Sequence, residues 1–169
     1  LETKHAGAVI AQGPILREAC AWMLAEGVLH CAFDADMTVA ALEMLRQWIP
    51  GKQRRGFFQS VPALVAGLRE RKDTEEILRL RAAAQLGCSL FEDVLTHIES
   101  GKREVDIAAH LEFAARTAGA EGMSFETIVA SGARSALPHG HATQQPLPRR
   151  GFVVLDFGVM LTGYCSDMT

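Results

Sequence analysis

The sequence predicts an α/β unit over residues 1–70 followed by an α+β domain over residues 71–169. Three observations carry this. Short apolar runs alternate with amphipathic helical patterns in the first third. The composition changes at "RERKDTEEILRL" (69–80) into a long pair of helical patterns. Beyond residue 120 the pattern becomes short strands punctuated by Gly, Ser and Pro.

In order, "AGAVIA" (6–11) is a short apolar strand broken by Gly13-Pro14. The helical stretch 14–27 puts Leu16, Ala19, Cys20, Met23 and Leu24 on one face, with Pro14 in its first turn and Gly27 closing it. "VLHCAF" (28–33) predicts a buried strand. A helix over 37–49 follows through Val39, Leu42, Leu45 and Ile49, and Pro50 stops it. "GKQRRG" (51–56) predicts a solvated loop, and 61–72 a short helix. Asp73 and Glu76 have the spacing of a capping box. Beyond them Ile77, Leu80, Ala84, Phe91, Val94, Leu95 and Ile98 keep a helical rhythm, which Gly87 interrupts and Ser100-Gly101 ends. A second helix spans 104–119, with Gly119 as its C-terminal cap. Strands are expected at 125–130, 151–157 and 163–168.

Composition narrows the function. With 169 residues, 49% of them hydrophobic, and a net charge of -3, the chain has ample apolar side chains for a core and no basic footprint for nucleic acid. No run of 18 apolar residues is present, so no membrane span is expected. Cys20, Cys31, Cys88 and Cys165 lack metal or disulfide spacing and are expected to be reduced core thiols of a cytoplasmic protein.

Two aspartates interrupt the apolar strands of "GFVVLDFGVMLTGYCSDMT" (151–169). A hairpin centred between Leu161 and Thr162 sets Asp156 opposite Asp167 on one face, with Cβ atoms about 4.5–5.5 Å apart. Two opposed carboxylates in a mostly buried sheet repel and are desolvated, and cations relieve both costs. A strand-end role for Asp156 and a capping role for Asp167 fit the spacing equally well. The triplet Asp156-Phe157-Gly158 matches the kinase metal-binding triplet, but no glycine-rich phosphate loop precedes it, so that analogy fails.

"SALPHGHAT" (135–143) places His139 and His141 in a loop of turn-forming residues, where Gly140 permits close approach of the backbone to a ligand. By composition alone these are ordinary surface histidines. His5, His30, His97 and His110 have no partners at suggestive spacing and are expected to be structural.

Taken together, "SFETIVASGARSALPHGHAT" (124–143) and residues 151–169 resemble the pita-bread metallopeptidases of the aminopeptidase P and prolidase group. "KDTEEILRLRAAAQLGCSLFEDVL" (72–95) resembles the opening of that family's catalytic domain, and the first third resembles the end of its creatinase-like N-terminal domain. The resemblance implies residues 1–70 as the C-terminal part of that N-terminal domain and 71–169 as the N-terminal half of the pita-bread domain. It implies Asp156 and Asp167 as the first two ligands of a two-metal site and His139 as an active-site histidine near the substrate; His141 matches no family ligand. The family completes its site with a histidine and two glutamates beyond the second aspartate. These are absent here, which implies a fragment of a longer protein, cut at both ends and inactive alone.

For the full-length protein the resemblance implies Xaa-Pro hydrolysis by a metal-bridging hydroxide. It further implies a peptide or dipeptide substrate with proline second, and a homodimeric enzyme. Hard carboxylate ligands favour Mn²⁺, with Co²⁺ or Zn²⁺ as the other candidates. Metal-free creatinase chemistry, a methionine aminopeptidase and a non-catalytic binding module are the alternatives. The metal-ligand aspartates argue against the first and the last, and the strand–helix remnant before residue 70 argues against the second.

Overall fold

The computed structural model describes residues 10–169. The strand expected at 6–11, and His5, lie wholly or mostly outside them. The described chain forms two compact units that divide between Arg71 and Lys72.

The first unit carries α1 (Ile15–Ala25), β1 (Cys31–Asp34), α2 (Val39–Gln47), α3 (Gly51–Arg54), β2 (Phe58–Val61) and α4 (Ala66–Glu70). Thr38 caps α2 by accepting a hydrogen bond from the Ala41 amide through Oγ1 at 3.2 Å. The basic run 51–56 is not wholly a loop. Pro50 fixes φ at the entry, and the amides of Gln53 and Arg54 donate back to its carbonyl, closing the single turn of α3. β2 was not expected. It pairs in parallel with β1, Cys31 beside Phe58 through Asp34 beside Val61. Phe57, which precedes it, and Phe58, its first residue, meet edge to face at 4.9 Å and pack with Cys20, Leu45 and Ile49. β1 starts later than expected and is only half-buried, because apolar side chains cover one face of this pair.

The second unit opens with α5 (Thr74–Leu95) and α6 (Glu104–Thr117). The capping box is formed in both directions, Glu76 N–H to Asp73 at 2.9 Å and Asp73 N–H to Glu76 at 2.7 Å. α5 ends three residues before Ile98. The amides of Thr96 and His97 bond in tightened turns to Asp93 and Val94, and Ile98 reaches the core from outside the helix. Leu90 and Val94 of α5 meet Ile107, Leu111 and Ala115 of α6, and Val129, Leu155, Phe157 and Val159 close this core from the strands. Each such large side chain contributes about 1.5–3 kcal/mol on burial.

The strands are β3 (Gly122–Met123), β4 (Ile128–Ser131), β5 (Val153–Asp156), β6 (Val159–Leu161) and β7 (Tyr164–Cys165). β5 pairs antiparallel with β4, while β6 lies between β3 and β7. Residues 153–161 are thus one extended segment serving two sheets, and it changes partners at Phe157-Gly158.

Only Cys20 is a core thiol. Cys31 is half-buried, Cys88 and Cys165 are exposed, and all four are free. No described helix is long and apolar enough to cross a membrane.

Candidate metal centre

Asp156 ends β5, and Asp167 follows β7. They are not directly opposite each other. Leu161 faces Tyr164, Met160 faces Cys165 and Phe157 faces Met168, so the same register sets Asp167 beside Gly158. The reversal is the two-residue turn Thr162-Gly163, with φ of 51° and 77°, the pattern of a type I′ hairpin that follows the strand twist. Residues 159–161, expected within the turn, are strand β6. Because side chains alternate with a period of two, this register leaves Asp156 and Asp167 on one face as diagonal neighbours. Asp156 is half-buried and Asp167 exposed. Neither carboxylate has a hydrogen-bond or ion-pair partner among the described residues. Two unpaired hard-oxygen donors on one face suit a divalent cation.

The ladder around them is distorted by design of its residues. Val159 N–H donates to Ser166 Oγ at 3.0 Å, and the Ser166 carbonyl accepts from Ser124 Oγ at 2.8 Å. This arrangement presses the Ser166 carbonyl against Gly158, where an added Cβ meets that oxygen at 1.9 Å. The obstacle is backbone and cannot rotate away. Gly158→Ala is expected to destabilise the second unit by about 3 kcal/mol, at the upper end of ordinary overpacking costs; an unchanged urea midpoint would show that the strands separate freely here.

Gly87 has the matching role on the helix. A Cβ there meets Met168 Sδ at 3.2 Å and Ser166 Oγ at 3.4 Å, so the missing side chain lets the stretch carrying Asp167 lie against α5. Tyr164 fixes the hairpin to the start of α5 by donating its hydroxyl to Glu76 at 3.1 Å, with Arg79 over its ring. Burial and the Glu76 carboxylate both push the Tyr164 phenol up from its ordinary value.

His139 is exposed at the tip of its loop, in the left-handed region with φ of 59°. Its side chain makes no hydrogen bond among the described residues. Gly140 does give close approach, but to protein rather than ligand: its Cβ position lies 3.0 Å from Ala130 Cβ of β4. His141 bridges to Ile128, whose other neighbour is Asp156, so β4 lies between the histidine loop and the first aspartate. The His141 ring is 3.1 Å from Glu126 in an exposed pair.

The loop is anchored by Glu104, which the sequence reading missed. Its carboxylate is 0% exposed, at the first position of α6, where the helix dipole favours a negative charge. It accepts from Ser131 N–H and Oγ–H at 2.8 and 2.9 Å, from Thr143 N–H and Oγ–H at 3.1 and 2.6 Å, and from Arg134 Nε at 3.2 Å. Arg134 also donates to the His141 carbonyl at 2.6 Å. Burial pushes the Glu104 carboxyl up, but the hydrogen bonds from Thr143 and Ser131 outweigh it and hold it below its ordinary value. The available signal was an acidic residue at a helix start whose face is otherwise apolar.

The second unit thus carries two unpartnered carboxylates on one strand face, with β4 separating Asp156 from the histidine loop. The sequence pattern of metallopeptidase family M24 matches residues 79–169, and the chain belongs to that family. An uncharacterized peptidase, YqhT of Bacillus subtilis, is 45% identical over 105 residues, which is 62% of this chain and 30% of that protein. The Xaa-Pro dipeptidase of Pyrococcus horikoshii is 31% identical over 144 residues, 85% of this chain and 40% of that protein. Among solved structures, the Xaa-Pro dipeptidase from Bacillus anthracis superposes with a TM-score of 0.83 at 37% identity, covering 93% of this chain and 43% of that one. The X-Pro aminopeptidase from Thermotoga maritima gives 0.78 at 29% identity, covering 94% and 44%. The chain therefore spans 30–40% of the length of these curated relatives. Its fold class is an α/β unit followed by part of a pita-bread domain.

Proposed function

We propose that this chain is part of a metal-dependent Xaa-Pro peptidase. Residues 1–70 would be the end of a creatinase-like N-terminal domain and 71–169 the first half of the catalytic domain. Asp156 and Asp167 would hold two divalent ions jointly with ligands from elsewhere in the full-length protein. The observation that carries the reading is the pair of unpartnered carboxylates sharing one strand face, one strand away from the anchored histidine loop. Ions bound there supply Lewis acidity and lower the pKa of a nucleophilic water. The chain's own residues do the rest: the aspartates contribute negative charge and hard oxygen donors, and exposed His139 hydrogen-bonds the substrate. Glu104 and Arg134 hold the histidine's loop in place. A homodimer in which the second subunit borders the cleft completes the proposal.

The test uses full-length protein stripped with a chelator and reloaded with Mn²⁺. Hydrolysis of Xaa-Pro dipeptides, but not of dipeptides lacking proline, is expected with about two ions per chain. A tripeptide with proline second separates the aminopeptidase from the strict dipeptidase. No metal uptake and no cleavage of either proline peptide would favour a binding module instead.

A further inference from the structure

Asp93, His97 and His110 share no motif in sequence, yet the antiparallel packing of α5 on α6 brings them together. Asp93 lies near the end of α5, His97 follows that helix, and His110 lies on α6. One ligand atom from each falls within 4.8 Å of the others. His110 Nε2 is 2.6 Å from Asp93 Oδ2, and the two imidazoles stack with centroids 3.6 Å apart and planes 25° from parallel. His97 Nδ1 lies 3.2 Å from the Asp93 carbonyl and 3.0 Å from Thr96 Oγ1, so this ring is oriented by the helix end.

We propose that these three residues form a metal site separate from Asp156 and Asp167, for a borderline divalent ion of the Zn²⁺ class. Two imidazole nitrogens and one carboxylate oxygen match the preference of Zn²⁺, Ni²⁺ or Cu²⁺ over Mg²⁺ or Ca²⁺. Four features support an ion here rather than a plain ion pair. All three groups are at least partly accessible, with side-chain exposures of 25% for His110 and 47% for Asp93. The carboxyl end of α5 is the negative end of its helix dipole and favours a cation. A groove of about 400 Å³ between the helices, lined by Ser89, Asp93, His110, Phe113 and Thr117, gives an entry path and room for a water as fourth ligand. The adjustment needed is small: ligands about 2.1 Å from a tetrahedral ion sit roughly 3.4 Å apart, so the Asp93–His110 pair opens and the third ligand closes in by side-chain rotation. Occupancy ties the end of α5 to the middle of α6 and stabilises the helix pair.

The experiment compares the full-length protein with its His97→Ala/His110→Ala variant, both chelator-stripped and dialysed against Zn²⁺. The variant is expected to hold one equivalent less, to lose the part of the Zn²⁺-dependent rise in melting temperature due to this site, and to keep its Mn²⁺-supported peptidase activity. Equal Zn²⁺ content in the two proteins overturns the proposal. If the double variant loses helix by circular dichroism, Asp93→Asn and His97→Gln replace it. Each is expected to weaken Zn²⁺ binding at this site by about tenfold or more, and an unchanged affinity in both rejects the site.

Discussion

Asp156→Asn in the full-length protein is expected to lower kcat for Xaa-Pro hydrolysis by more than about a thousand-fold, equivalent to roughly 4 kcal/mol of transition-state stabilisation. Asparagine keeps the size and one oxygen of aspartate but removes the charge that holds a hard cation. The expectation separates chemistry from folding because the Asp156 carboxylate has no hydrogen-bond partner among the described residues whose loss could unfold the strand. Without metal, the variant should match or slightly exceed the parent in thermal stability, since like charges on one strand face repel. With Mn²⁺, the parent's melting temperature rises and the variant's does not. Asp167→Asn should behave alike. Survival of Xaa-Pro hydrolysis in either variant removes these residues from the site.

The second large effect is expected at Glu104. Glu104→Ala strands the donors of Ser131, Thr143 and Arg134 in a buried space, and the loss of one partner from a buried charged pair costs about 3–5 kcal/mol. Glu104→Gln should cost about 2 kcal/mol. Its oxygen can still serve Ser131, but its amide points N–H groups at the donors of Thr143 and Arg134. The pH dependence has a definite sign. The folded carboxyl titrates below its ordinary value of 4.5, so its stabilisation is present above that pH and is lost as the pH falls through the folded pKa. Parent stability should therefore fall in that acid range, and the Glu104→Ala curve should be flatter there. Denaturant melts at several pH values test this, and parallel curves would exclude Glu104 as the acid-labile group.

What could be seen in the sequence was mostly what local chemistry decides. Asp73 and Glu76 announce a capping box, and the box forms. Gly119 closes α6 with a positive φ of 95°. The hairpin register depended on which two residues occupy the turn. Thr162-Gly163 lacks the usual Asn-Gly signature, and the glycines around Val159, Met160 and Leu161 made a strand look like a loop. Asp156 and Asp167 were nonetheless assigned the correct shared face, because the period of two survives a shift of two positions. β2 was hidden because Phe57 and Phe58 break any alternation. The functions of Glu104, Gly158 and Gly87 were invisible for another reason: each depends on atoms brought from more than six residues away in the chain. The meeting of His97 with His110 likewise exists only once α5 and α6 pack.

The Tyr164–Glu76 hydrogen bond joins residues 88 positions apart. Contacts of such separation carry a large loop-closure entropy and form late, after local pieces such as the β6–β7 hairpin and the α5–α6 pair. The strand stretch bearing Asp167 is therefore expected to be fastened to α5 only at that late stage. A chain arrested before it would have its helices and its hairpin, yet no settled spacing between the two aspartates and the rest of the unit. Cation uptake by these carboxylates would then report completed folding, distinguishing the finished unit from intermediates that circular dichroism scores as nearly native.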